Sequence, residues 1–114
     1  MWKKHPKLIL RPLTPAELDV LRSAKLSTKL ANQLLHYFTK RNNEPATRTE
    51  VIDKLDVWDL SKLVFRLNTE LHQQGLYFSL GSGLSYGSGR PKGLPDYWST
   101  LIRFYPVEKR TGDA

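Results

Sequence analysis

With 114 residues, 39% of them apolar and no cysteine, the chain is long enough for one hydrophobic core and has neither disulfides nor thiolate metal sites. Eighteen Lys and Arg against eleven Asp and Glu leave a net charge of +7 and a pI near 9.8. That lies above the value of about 9 at which a polyanionic partner becomes the first expectation. No apolar run approaches the roughly 18 residues of a membrane span. The stretch Lys7-Leu-Ile-Leu-Arg11 is too short for a signal-peptide core and precedes no small-residue cleavage site, so a cytoplasmic protein with no membrane partner is expected. The charge is also unevenly spread. Residues 1–29 hold seven bases against two acids, residues 30–80 six of each, and residues 81–114 five bases against three acids. A uniformly charged solubilising surface would not divide in this way.

In chain order, Lys7 to Arg11 reads as a short strand within a basic segment over residues 1–12. The run Leu13-Thr-Pro-Ala-Glu17 is a dense helix start: Thr14 can cap, Pro15 suits the first helical position, and Glu17 can return the capping-box bond. Leu18 and Leu21 then face inward. A second start falls near Ser27, and the recurrence of Leu30, Leu34 and Phe38, with Ala31 and Leu35 beside them, predicts an amphipathic helix over 28–41. Lys40, Arg41, Asn42 and Asn43 end it, and Glu44-Pro45 reinforces the break. Thr47-Arg-Thr-Glu50 is another capping box, opening a short helix with Val51, Ile52 and Leu55 inward. Residues 56–59 form a turn. Leu60, Leu63, Val64, Leu67 and Leu71 recur at three- and four-residue spacing, which predicts a helix over 59–73, and Gly75 stands where a helix-closing glycine belongs. Leu76, Phe78 and Leu80 alternate with Tyr77 and Ser79 as in a half-buried strand, and residues 97–105 read as its partner. Between the two strands, residues 81–93 hold five of the seven glycines and predict an exposed loop. Residues 106–114 read as a tail. The whole chain, 1–114, reads as one domain without internal repeats.

This order of elements is helix, short helix, longer helix, then two strands joined by a glycine-rich basic loop. It resembles the winged helix-turn-helix superfamily, and in particular the DNA-binding output domains of bacterial response regulators. The pieces that carry the resemblance are Leu13-Thr14, Thr47-Arg-Thr-Glu50, and Arg66-Leu-Asn-Thr-Glu-Leu71 before Gly75. Stand-alone regulators of phages and plasmids are a nearer analogy, because no receiver domain precedes the module and the hairpin loop is long. The resemblance implies an α+β winged-helix fold of three to four helices followed by a β-hairpin. It also implies sequence-specific binding of double-stranded DNA, as in a transcriptional regulator, with helix 59–73 in the major groove. Such domains often bind as homodimers on repeated half-sites. A plasmid or phage replication initiator is a close variant.

With Leu60 at the centre of the buried stripe and 100° per residue, Trp58, Lys62, Phe65 and Thr69 point outward, flanked by Ser61 and Arg66. Lys62 and Arg66 suit guanine edges, while Ser61 and Thr69 can bond to phosphate or base. Trp58 and Phe65 could meet thymine methyl groups, but packing against helix 28–41 or a second subunit is the preferred expectation. Arg48 and Thr49 open a helix whose free N–H groups and dipole favour phosphate. In the loop, Arg90 and Lys92 suit phosphate or an A·T-rich minor groove, and Lys3 and Lys4 suit a backbone-tracking arm. A solvated surface explains each of these bases as well.

Catalysis has little support. His5, His36 and His72 are far apart, and Asp53, Asp56 and Asp59 lack the glycine and final glutamate of a calcium loop. No cofactor, metal or small-molecule ligand is expected, and no enzymatic activity. Two other readings stand beside DNA binding. One is a protein-binding adaptor using Trp58, Phe65, Tyr86 and Trp98, favoured by Asp59 and Glu70 on the reading helix. The other is RNA binding with Tyr77, Tyr86 and Tyr97 as stacking platforms.

Overall fold

The structure, a computed structural model, describes residues 8–81 and 101–108. Among these the fold is α+β, with four helices and a small three-stranded antiparallel sheet. Helix α1 (Pro15–Ser23) begins with the capping box expected of its sequence. Thr14 Oγ1 accepts from the Glu17 N–H at 3.2 Å, and Glu17 accepts from the Thr14 N–H at 2.8 Å. The Arg11 guanidinium grips the same carboxylate through two 2.8 Å contacts. These bonds, that to Arg11 first, hold the Glu17 carboxyl down to about 2. Helix α2 (Lys29–Lys40) is capped by Thr28 and buries Ala31, Leu34, Leu35, Phe38 and Thr39. Strand β1 (Ala46–Thr47) runs directly into helix α3 (Arg48–Leu55), so Thr47 is at once a strand residue and the N-cap of a second capping box with Glu50. Helix α4 (Leu60–Gln73) is capped by Asp59. It closes with Gly75 at φ +79°, where the Gly75 N–H reaches the His72 carbonyl and the Leu76 N–H reaches that of Leu71. That pair of bonds is a Schellman closure, and glycine accepts its left-handed backbone without strain.

Strands β2 (Phe78–Gly81) and β3 (Leu101–Pro106) pair antiparallel, and β3 lies between β2 and β1. The core forms where α2 and α4 meet this sheet. Phe38 stands edge-on to Phe104 with ring centroids 5.8 Å apart, among the buried Leu34, Leu35, Leu67 and Leu71.

The sheet is too short to satisfy its own backbone, and two asparagine side chains complete it. Leu80 and Phe104 face each other across β2 and β3. Each points its own N–H and C=O away from the other, the arrangement of a non-hydrogen-bonded pair. On the β1 side, Asn43 accepts from the Phe104 N–H at 2.8 Å and donates to its carbonyl at 2.9 Å. On the opposite side, Asn68 of α4 accepts from the Leu80 N–H at 2.8 Å and donates to its carbonyl at 3.1 Å. The edge of β3 is finished further along by the Leu8–Val107 bridge and by the Ile9 N–H on the Pro106 carbonyl at 2.8 Å. Pro106 fits mid-sheet because its missing N–H would have faced this same patchwork edge.

Several expectations are corrected here. The strand over 7–11 is a single bridge at Leu8. Ala46–Thr47 forms a strand that no periodicity marked, since two residues are too few to show one. Pro106 and Val107, read as the start of a tail, are buried in the sheet. Ser79, read as a solvent-facing alternate, is buried because its Oγ lies 2.9 Å from His72 Nε2 on the adjoining helix. Residues 82–100 and 109–114, including most of the glycine-rich loop, lie outside the described residues.

His72 gives the fold a pH dependence with a definite sign. Partial burial strips the imidazole of water and lowers its pKa, against a smaller opposite effect of the Phe78 backbone hydrogen bond. The unfolded chain therefore takes up this proton more readily than the folded one. Stability is full above the ordinary histidine value of about 6.5 and declines as pH falls below it. Urea midpoints should drop from pH 7 to pH 5.5, and His72→Gln should flatten that part of the profile. An unchanged profile in the variant would contradict this assignment.

Candidate nucleic-acid interface

Helix α4 divides cleanly into two faces. Leu60, Leu63, Leu67 and Leu71 are buried against α2 and β2, while Ser61, Lys62, Phe65 and Arg66 are exposed on the other side. The exposed side carries a shallow depression of about 340 Å³ lined by Lys62, Phe65, Arg66, Thr69, Glu70 and Gln73. Four of the expected contact residues therefore share one concave surface: Lys62, Phe65, Arg66 and Thr69. Gln73, one helical turn beyond Thr69, belongs to the same surface and was missed. The spacing 62, 66, 69, 73 could have found it, because it continues one helical row.

Both acids beside this face are engaged by hydrogen bonds, although Glu70 lines the depression itself. Asp59 is spent as the N-cap, accepting from the Lys62 N–H at 3.1 Å. The Glu70 carboxylate is held by the Ser27 N–H at 2.8 Å and the Ser27 hydroxyl at 2.7 Å, which ties the loop before α2 to α4. Gln74 reinforces this tie by donating to the Lys25 carbonyl at 2.7 Å. The negative charges that counted against a basic reading helix are thus fixed in structural roles.

Of the expectation that the two aromatics pack against helix 28–41 or a second subunit, only one part is corrected: helix 28–41 does not cover Trp58. Trp58 is 98% exposed and Phe65 52% exposed. Trp58 sits in the turn between α3 and α4, where no element among the described residues covers it. Trp58→Ala should therefore leave the thermal midpoint nearly unchanged, within the half kcal/mol or so typical of surface substitutions. A loss above about 1 kcal/mol in a melting experiment would show that the ring is packed.

Arg48 and Ser61 act as one unit, since the Arg48 guanidinium donates to the Ser61 hydroxyl. This contact links the start of α3 to the first turn of α4. Thr49 is exposed at the same helix start. The Thr69 hydroxyl donates to the Phe65 carbonyl one turn back at 2.9 Å, so Thr69 brings a methyl group and no free donor to the surface. Of the other candidate contacts, Lys3, Lys4, Arg90 and Lys92 lie outside the described residues. Asp56 and Asp59 occupy helix ends, Asp56 as a left-handed C-cap. No helix among the described residues is long and apolar enough to cross a membrane.

Comparison with protein families, with curated proteins and with solved structures finds no match to this chain.

Proposed function

We propose that this protein is a winged-helix DNA-binding protein that recognises duplex DNA through the exposed face of α4, in the manner of a transcriptional regulator. The order α2, β1, α3, α4, β2, β3, with β3 between β1 and β2, supports the winged-helix part of the reading. Helices α3 and α4 supply the helix-turn-helix pair, and strands β2 and β3 supply the paired strands of the hairpin. The observation that carries the functional part is the state of α4. Its outward face presents Lys62 and Arg66 around a depression, while Asp59 caps the helix and the carboxylate of Glu70, on the rim of that depression, is engaged by Ser27. A helix of about 14 residues with such a face fits the major groove, where Arg and Lys pair with guanine acceptors. Arg48, at the start of α3, stands where a flanking phosphate would lie.

The test is a mobility-shift series with mixed-sequence duplex DNA over a range of salt concentrations. Affinity should fall linearly on a log–log plot, with a slope set by the number of phosphates neutralised. Absence of binding at low salt, or indifference to salt, would overturn the proposal. A second reading, a protein-binding adaptor, is favoured by one observation: Trp58 and Phe65 are exposed together. Under that reading Trp58→Ala removes partner binding and leaves DNA affinity untouched.

A further inference from the structure

We propose that Phe65 is a specificity residue that reads the 5-methyl group of thymine, so that the recognised site contains a thymine next to the bases met by Lys62 and Arg66. This rests on the DNA-binding reading above and adds the identity of one base. Phe65 is 52% exposed on an otherwise polar helix face, and its position there is specific. Phe65 lies between Lys62, one turn before it, and Arg66, its neighbour in sequence, and all three line the same depression. The Thr69 hydroxyl is committed to the Phe65 carbonyl, so this part of the wall offers an aromatic ring and a methyl group with no free donor. The charge around the depression favours an anionic partner: Lys62 and Arg66 flank the ring, and the carboxylate of Glu70, which also lines the depression, is engaged by Ser27.

Among the groups a duplex presents in its major groove, only the thymine methyl is apolar. The other features of that groove are donors and acceptors. A surface with a ring and a methyl between two cations therefore matches a thymine flanked by guanine acceptors or by phosphate. Cytosine presents an amino donor in that region and no methyl group, so it would leave the ring facing water.

The experiment begins with a duplex recovered by the full-length protein from a random-sequence pool. Each thymine of that duplex is then replaced singly by deoxyuridine, which removes the methyl and keeps the pairing. Fluorescence anisotropy at fixed salt should show one or two positions at which affinity falls roughly threefold to fivefold, the loss expected for exposing one methyl group. In Phe65→Ala, affinity for the thymine duplex should fall and the difference between thymine and deoxyuridine should vanish at those positions. Phe65→Leu should retain part of it. Because Phe65 is half exposed, Phe65→Ala is expected to fold, and its melting curve provides the check. If the duplex is bound but every deoxyuridine is tolerated, or if the difference survives in Phe65→Ala, this inference falls while the DNA-binding reading stands. If no duplex is recovered at low salt, the DNA-binding reading falls and takes this inference with it.

Discussion

Asn43→Ala is expected to be among the most damaging single substitutions in the protein, costing about 3–5 kcal/mol of stability. Asn43 is 5% exposed, and its amide is paired with both backbone groups of Phe104. Truncation leaves a buried N–H and a buried C=O without partners, each worth about 1–3 kcal/mol. Asn43 also sits at φ +61°, a left-handed conformation that asparagine tolerates and that costs alanine roughly 1 kcal/mol more. For a domain of this size the loss should lower the thermal midpoint by more than about 10 °C. Urea denaturation should show a lower midpoint at unchanged slope. Asn43→Asp separates the two contributions. It keeps the left-handed preference and an acceptor for the Phe104 N–H, but sets a carboxylate against the Phe104 carbonyl. That variant should be as damaged as the alanine at neutral pH and recover partly in acid, where a protonated carboxyl can donate. Asn68→Ala, at a half-buried position, should cost less, about 1–2 kcal/mol. A loss below 1 kcal/mol for Asn43→Ala would mean that water or a backbone shift replaces the amide.

What could be read from the sequence follows how far apart the interacting residues are. The capping boxes at Thr14–Glu17 and Thr47–Glu50, the leucine stripe of α4 and the Gly75 closure all depend on residues three to six positions apart. Each was therefore visible as a local pattern, and each is present in the structure. The bonds that complete the sheet are of another kind. Asn43 meets Phe104 across 61 positions, and Ser27 meets Glu70 across 43. An asparagine after a helix reads as a stop signal, and nothing local distinguishes one that will replace a strand. Glu70 illustrates the consequence for the site. As a sequence feature it weakens the basic character of the helix, and only the structure shows that its carboxylate, on the rim of the depression, is engaged by the distant Ser27. Trp58 and Phe65 show the same limit from the opposite side. Helical periodicity placed them outward but could not say whether another element covered them.

Removing both cations of the α4 face should abolish most sequence-specific binding while leaving the fold intact. Lys62 and Arg66 are one turn apart on an exposed surface, and alanine is the best helix former available at both positions. Lys62→Ala/Arg66→Ala should therefore melt within a few degrees of the wild type. A well-formed contact to a base contributes about 1–3 kcal/mol, so two of them make the expected loss at least roughly 30-fold in affinity for the selected duplex. The salt dependence says what kind of contact each residue makes. A cation on a base edge should leave the log–log slope almost unchanged and relax preference at one position. A cation on phosphate should lower the slope by about 0.9 and weaken all sequences alike. Measuring the two single variants and the double variant on selected and mixed-sequence duplexes distinguishes these outcomes residue by residue. Unaltered affinity in the double variant would exclude α4 as the reading element. Retained Trp58-dependent binding to a protein partner in that same variant would favour the adaptor reading, because the aromatic patch and the basic face overlap only at Phe65.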